Sequence, residues 1–166
     1  MIFTSRYSNP ELATGRYTVV GVTRGKPKFP LKYQLAGNII EIAPPGYLFN
    51  EYDRDRFTPR YYQHLDGIGL PHLNEILSGY ERMGKDVVLC CFEDVRKPNE
   101  WCHRLVFAEW WLNKTGEAIT ELTDPSVCKV REKRCDSKDD PIPPPVAPAA
   151  PIPAKMDQLH IGNIRW

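Results

Sequence analysis

The stretch 86–92, DVVLCCF, constrains the fold more than any other part of the chain, because Val87 to Phe92 are apolar without a break. A short continuous apolar run suits a strand buried on both faces, and such strands belong to parallel sheets covered by helices. The flanking segments agree. Leu73, Ile76, Leu77 and Tyr80 recur at helical spacing, opened by Pro71 and closed by Gly84, which predicts a helix. After the run comes a loop, EDVRKPN. A helix is predicted from Glu100 to about Lys114, with Asn99 as its N-cap and Gly116 ending it, and EAITEL follows as a returning strand.

Upstream, MIFTSRY and YTVVGVT read as strands from their β-branched and aromatic content. The turn residues SNPELATG between them are too few for a full crossover helix. NIIEIAP is a third strand candidate, ended by Pro44, Pro45 and Gly46. Strands alternating with helices in this order predict an α/β sandwich with a mostly parallel sheet, over residues 1–124. Residues 125–140 mix both signs of charge as a solvated extension. Residues 141–154 are a Pro/Ala-rich linker expected to run as polyproline II. The tail 155–166 regains Leu159, Ile161, Ile164 and Trp166, too short to fold alone, and either docks on the domain or binds a protein partner, or is plainly disordered.

A formal charge of +1 argues against strong nucleic-acid binding, which needs a basic excess. No run nears the roughly 18 apolar residues of a membrane span, and MIFTSRYSNPEL lacks the regions of a signal peptide. The five cysteines are odd in number and without C-x-x-C pairing, as suits free thiols in a reducing compartment. The cytoplasm is the expected location.

In open α/β sheets, ligands bind beyond the carboxyl ends of the strands, where the next helix presents its N-terminus. Cys102, His103 and Arg104 start the predicted second helix, and Glu93 ends the preceding strand. A helix N-terminus favours a thiolate and lowers a cysteine pKa from about 8.5. Consecutive helical residues diverge by about 100°, so the three cannot share one face. Whether Cys102 turns to a pocket or packs inward with Val106 stays open at this point. Trp101, Leu105, Phe107, Ala108, Trp111 and Leu112 are expected in the core. Cys90 and Cys91 alternate across the sheet as small hydrophobes. Cys91, Cys102 and His103 are zinc-ligand types, but lack the paired spacing of structural sites, and no metal or cofactor is expected. Tyr47, Phe49, Tyr52, Phe57, Tyr61 and Tyr62, interleaved with Arg54, Arg56 and Arg60, either lay aromatics on the sheet or stack on a base.

VVLCCFED followed by a helix-starting Cys-His-Arg resembles the family called domain of unknown function 488, whose pattern is an apolar strand ending Cys-x-Glu, a variable loop and Cys-His-Arg. IFTSRYSNPEL is similar to that family's opening strand, with Ser8 and Asn9 as its Ser-Asn pair. VVGVTRGKPKFP is similar to its second strand, where Arg24 and Pro27 match and Val22 stands in place of an Asp. The resemblance covers about residues 1–124 and implies a three-layer Rossmann-like sandwich, like that of proteins that process nucleotides or nucleosides. It further implies one polar crevice holding Ser8, Asn9, Arg24, Glu93, Cys102, His103 and Arg104.

The expected function is an enzyme acting on a small anionic nucleotide- or nucleoside-like ligand, with glycosidic-bond cleavage or transfer foremost. Ser8, Asn9, Arg24 and Arg104 would bind the ligand, and Glu93, Cys102 and His103 would do the chemistry. A nucleotide-sensing or partner-binding module is one alternative, and a thiol enzyme using Cys102 is another.

Overall fold

A computed structural model describes residues 1–128. The linker 141–154, the tail 155–166 and residues 129–140 of the extension lie outside the described residues. Five strands, β1 (Ile2–Arg6), β2 (Tyr17–Gly21), β3 (Gly37–Asn38), β4 (Asp86–Cys91) and β5 (Thr120–Glu121), form one all-parallel sheet in the order β3-β2-β4-β1-β5. Three helices, α1 (Arg54–Ile68), α2 (Leu70–Glu81) and α3 (His103–Thr115), complete an α/β fold. None of these helices is long and apolar enough to cross a membrane.

The apolar run 86–92 becomes the central strand, and its alternation divides the core in two. Val87, Leu89 and Cys91 face the helices, packing with Phe57, Tyr61 and Leu65 of α1, Leu73 and Leu77 of α2, and Val106, Phe107, Trp110 and Trp111 of α3. Val88 and Cys90 face the other way, against Tyr7 and Leu12, with Leu31, Tyr33 and Leu35 packed alongside. This second face is covered by a 3₁₀ turn (Pro10–Thr14) and irregular chain, so the third layer holds no α-helix.

Topology explains the asymmetry. From β1 the chain moves across the sheet to β2 and β3, then reverses to β4 and β5. Parallel crossovers share one hand, so connections moving in opposite directions must lie on opposite faces. The outward moves carry only the 3₁₀ turn and residues 22–36, and the return moves carry all three helices.

Three local expectations are corrected. The candidate strand NIIEIAP pairs only at its start, because after Asn38 the chain folds into a turn, with Ala43 N–H donating to Ile40 C=O at 3.1 Å. Ile39 and Ile42 are buried from that turn rather than from a strand. Helix α3 begins at His103, not Glu100: Glu100 N–H closes a turn on Lys97 C=O at 3.2 Å, Asn99 takes φ 62°, and Cys102 is extended at the N-cap. Leu112 is exposed because it lies one turn beyond Glu109 on the outer stripe of α3, whereas Trp110, not among the expected core residues, is buried. The aromatic segment 47–62 divides between a loop and α1, which Asp53 caps by accepting from Asp55 and Arg56 N–H.

Gly21 sits where β2 approaches its neighbours. A Cβ there would meet the Asn38 side chain and lie 2.6 Å from the Tyr7 hydroxyl. Gly21→Ala is expected to cost about 1–3 kcal/mol of stability through this overpacking, measured by urea unfolding; an unchanged midpoint would show that the contact relaxes freely.

A candidate active site at the switch point of the sheet

The strands β2 and β4 are neighbours, yet the chain leaves β2 toward one face and β4 toward the other. Such divergence opens a crevice at the carboxyl edge of a parallel sheet. A cavity of about 450 Å³ occupies it. Its walls come from the connection after β2 (Thr23, Arg24), the loop before α1 (Phe49, Tyr52) and the start of α1 (Phe57), with Trp101 before α3.

Four polar side chains form the floor. Glu93 Oε2 lies 2.8 Å from Sγ of both Cys91 and Cys102, and Cys91 is the thiol that donates to it. His103 Nδ1 lies 3.7 Å from Cys91 Sγ and 3.6 Å from Cys102 Sγ. One ligand-type atom from each of the four falls within 4.8 Å of the others. Cys91 ends β4, and Glu93 follows two residues later, past a bend at Phe92; both line the cavity. Cys102 and His103 arrive from the head of α3. On its far side, His103 Nε2 donates to the Val22 carbonyl at 2.9 Å, an atom that can only accept. The Nε2 proton is thereby fixed, and Nδ1 is the nitrogen presented to the sulfurs.

The position of Val22 is itself secured. Asn38 accepts from Thr23 N–H at 3.3 Å and donates to Thr23 C=O at 2.8 Å, while Thr23 Oγ1 pairs with Tyr7 Oη at 2.8 Å. Below Glu93, Asp94 is gripped by Arg96 at 2.8 Å and Arg6 at 3.1 Å. Arg6 also reaches Asp124 at 2.6 Å. This network ties the loop after β4 to the chain after β5.

Electrostatics follow from the crowding. Burial pushes the Glu93 carboxyl above its ordinary range, the Cys102 charge adds to this, and donation from Cys91 opposes it. Burial also raises the Cys102 thiol, but donation from Cys91 and the nearby His103 and Arg104 charges outweigh it and hold Cys102 well below the usual thiol range. Cys91 moves the other way, kept protonated by its bond to Cys102 and by burial. For His103, burial favours the neutral ring, yet the Cys102 thiolate prevails and raises it.

No family model matches the chain, and neither the curated proteins nor the solved structures yield a match. The site therefore stands on its own geometry.

The residues expected around one crevice separate. Glu93, Cys102 and His103 form the floor, and Arg24 stands at the mouth, its Nε donating to Pro44 C=O at 2.7 Å and its guanidinium over Phe49. Arg104 does not line this cavity. It points the other way from the helix head, fully buried, and forms a bidentate pair with Glu121 at 3.1 and 2.8 Å. Asn9 is buried too, capping the 3₁₀ turn and donating to Ser5 Oγ at 2.9 Å, and Ser8 borders a smaller hollow on the opposite face. The crevice expected to hold all seven residues is corrected accordingly: consecutive residues at a helix start diverge, and the β1 connection leaves on the wrong face. Cys91 and the Val22 carbonyl belong to the site without having been assigned to it. The i, i+2 relation of Cys91 to Glu93 is the signal for the first; nothing local in the sequence marks a backbone carbonyl.

Burial raises the Asp124 carboxyl, but donation from Arg6 and Ser126 wins and lowers it. Its contribution to stability is then present above the ordinary Asp value of about 3.9 and is lost as pH falls below it. Asp124→Asn is expected to lower stability near pH 7 by about 1–3 kcal/mol and to flatten the acid loss, as read from urea midpoints between pH 7 and pH 3. Equal slopes in both proteins would contradict the role of this clamp.

Proposed function

We propose that the chain is an enzyme acting on a small nucleoside-like ligand, with Glu93 exchanging the proton in the chemical step. The observation that carries this reading is the cavity itself: aromatic walls over a carboxylate floor, at the carboxyl edge where a parallel sheet switches direction. Phe49, Tyr52, Phe57 and Trp101 offer faces and edges for a planar base. Trp101 is set by donation from its Nε1 to Tyr52 C=O at 3.1 Å, and by an edge contact with Phe57 at 4.9 Å.

Charge narrows the ligand class. Arg24 is the one arginine on the cavity wall among the described residues, while Glu51, Glu93 and Glu100 are all present there. A polyphosphate would meet more repulsion than attraction. A nucleoside, or a ligand with a single anionic group at Arg24, fits better, its hydroxyls serving as donors to the carboxylates. The resemblance to the domain of unknown function 488 family supports the same reading, since its Cys-x-Glu and Cys-His elements are those that meet on the floor.

Glycosidic-bond cleavage or transfer is the reaction of choice, because a half-buried carboxyl beside an aromatic pocket can protonate a leaving base or activate water. A thiol-nucleophile reading fits less well. Cys102 is only 2 % exposed, and reactive cysteines sit in partly open surroundings.

Two variants test the proposal on a nucleoside panel assayed for released base. Glu93→Gln is expected to lower turnover by about 10²–10⁴-fold with ligand affinity kept within a few-fold. Trp101→Ala is expected to weaken binding by about tenfold, the loss of one aromatic contact of about 1.4 kcal/mol. Undiminished turnover in Glu93→Gln removes the mechanism, and ligand binding with no product in any assay turns the same cavity into a sensor.

A further inference from the structure

We propose that Cys91 Sγ, Cys102 Sγ and His103 Nδ1 hold a divalent zinc-class ion, whose fourth position opens toward Glu93 and the cavity. The inference goes beyond the ligand and reaction proposed above and does not depend on them.

Distance is the first argument. Zinc bonds of about 2.3 Å to sulfur and about 2.0–2.1 Å to nitrogen, at a tetrahedral angle, put a sulfur and a nitrogen about 3.5–3.6 Å apart. The two sulfur–Nδ1 separations here are 3.7 and 3.6 Å. Both edges of the donor triangle that include the imidazole thus match one ion touching all three atoms.

The second argument is orientation. A metal-bound histidine almost always donates its other ring N–H to a carbonyl or carboxylate, which fixes the ring and the coordinating nitrogen. The Val22 carbonyl accepts from Nε2 at 2.9 Å, leaving Nδ1 for the sulfurs. A histidine placed for packing alone has no need of both features at once.

The donor set selects the metal. Two sulfurs and an imidazole suit zinc and its soft neighbours, and exclude magnesium and calcium, which require oxygen cages. Three protein ligands with one open corner are the catalytic pattern, whereas structural zinc sites are closed by four. Glu93 Oε2 stands 2.8 Å from both sulfurs, nearer than the about 3.5 Å expected between a zinc-bound carboxylate oxygen and a bound sulfur. Such short contacts are hydrogen bonds of the metal-free floor, which uptake of the ion breaks, leaving the Glu93 carboxylate beside the site without being a ligand. The ion takes both sulfurs as thiolates and Nδ1 without a proton, so uptake releases whatever protons these atoms carry to solvent.

The full chain, purified in reductant and stripped with a chelator, is reloaded with zinc or cobalt(II). The expected result is about one ion per chain by elemental mass spectrometry, with a near-ultraviolet thiolate-to-cobalt band and the intense visible bands of a tetrahedral site. Cys91→Ser and Cys102→Ser should each lose stoichiometric metal, and Glu93→Gln should retain it. The wild-type cobalt spectrum needs no variant, so a serine variant that fails to fold does not spoil the test. Uptake below about a tenth of an equivalent, a cobalt spectrum without the thiolate band, or full metal in folded Cys91→Ser would each overturn the site. Metal uptake without nucleoside turnover leaves the ion standing and removes the enzyme reading, and turnover without metal does the reverse.

Discussion

Everything at the site depends on the pairing of β4 between β1 and β2 in parallel. That placement forces the chain out to one side of the sheet and back to the other, and the sense of parallel crossovers assigns each direction its own face. The helices therefore collect on one side, and the connection after β2 leaves on the other. The gap between the two departures becomes the cavity. Cys91 pairs with Arg6 and Cys90 with Gly21, which brings the end of β4 beside the chain that leaves β2 at Val22.

Within that frame the division of work follows burial. Rigid elements deliver the floor: Cys91 at the last position of β4, with Cys102 and His103 at the head of α3. Non-helical segments supply much of the wall, including Phe49, Tyr52 and Trp101. The loop that carries Glu93 would be the weak member, and the Asp94–Arg96–Arg6–Asp124 network is what steadies it. Arg104 shows the opposite use of charge. It completes an ion pair with Glu121 beside β1, and only its field reaches Cys102.

Much of the fold was legible from the chain. The unbroken run 86–92 marks a strand buried on both faces, and the 3.6-residue spacing of Leu73, Ile76, Leu77 and Tyr80 marks a helix; both signals are local and strong. The strand candidate at 38–44 failed because isoleucines spaced by three serve a turn as well as a strand, and propensity does not see that Asn38 has its partner only in β2. Helix α3 begins later than Asn99 allowed, since a good capping residue also tolerates positive φ. At the site, Glu93, Cys102 and His103 were readable as polar groups at element ends. Cys91 was legible only as a zinc-ligand type two residues before Glu93 and was left without a role, because a cysteine within an apolar run looks like filling. Spacing along the chain also argued against zinc, whereas the donors meet through a strand end and a helix start that tertiary packing alone brings together.

Cys91 and Cys102 lie in the same buried cluster as Leu89, Val106 and Phe107, so the floor of the cavity is also part of the hydrophobic core. A site built this way cannot be altered without touching what holds the chain folded. The converse is linkage: any species that binds the floor and not the unfolded chain adds its occupancy free energy to folding, about 2.7 kcal/mol at a hundredfold excess over its dissociation constant. Resistance to unfolding then becomes a concentration gauge, set as much by what surrounds the protein as by its own contacts.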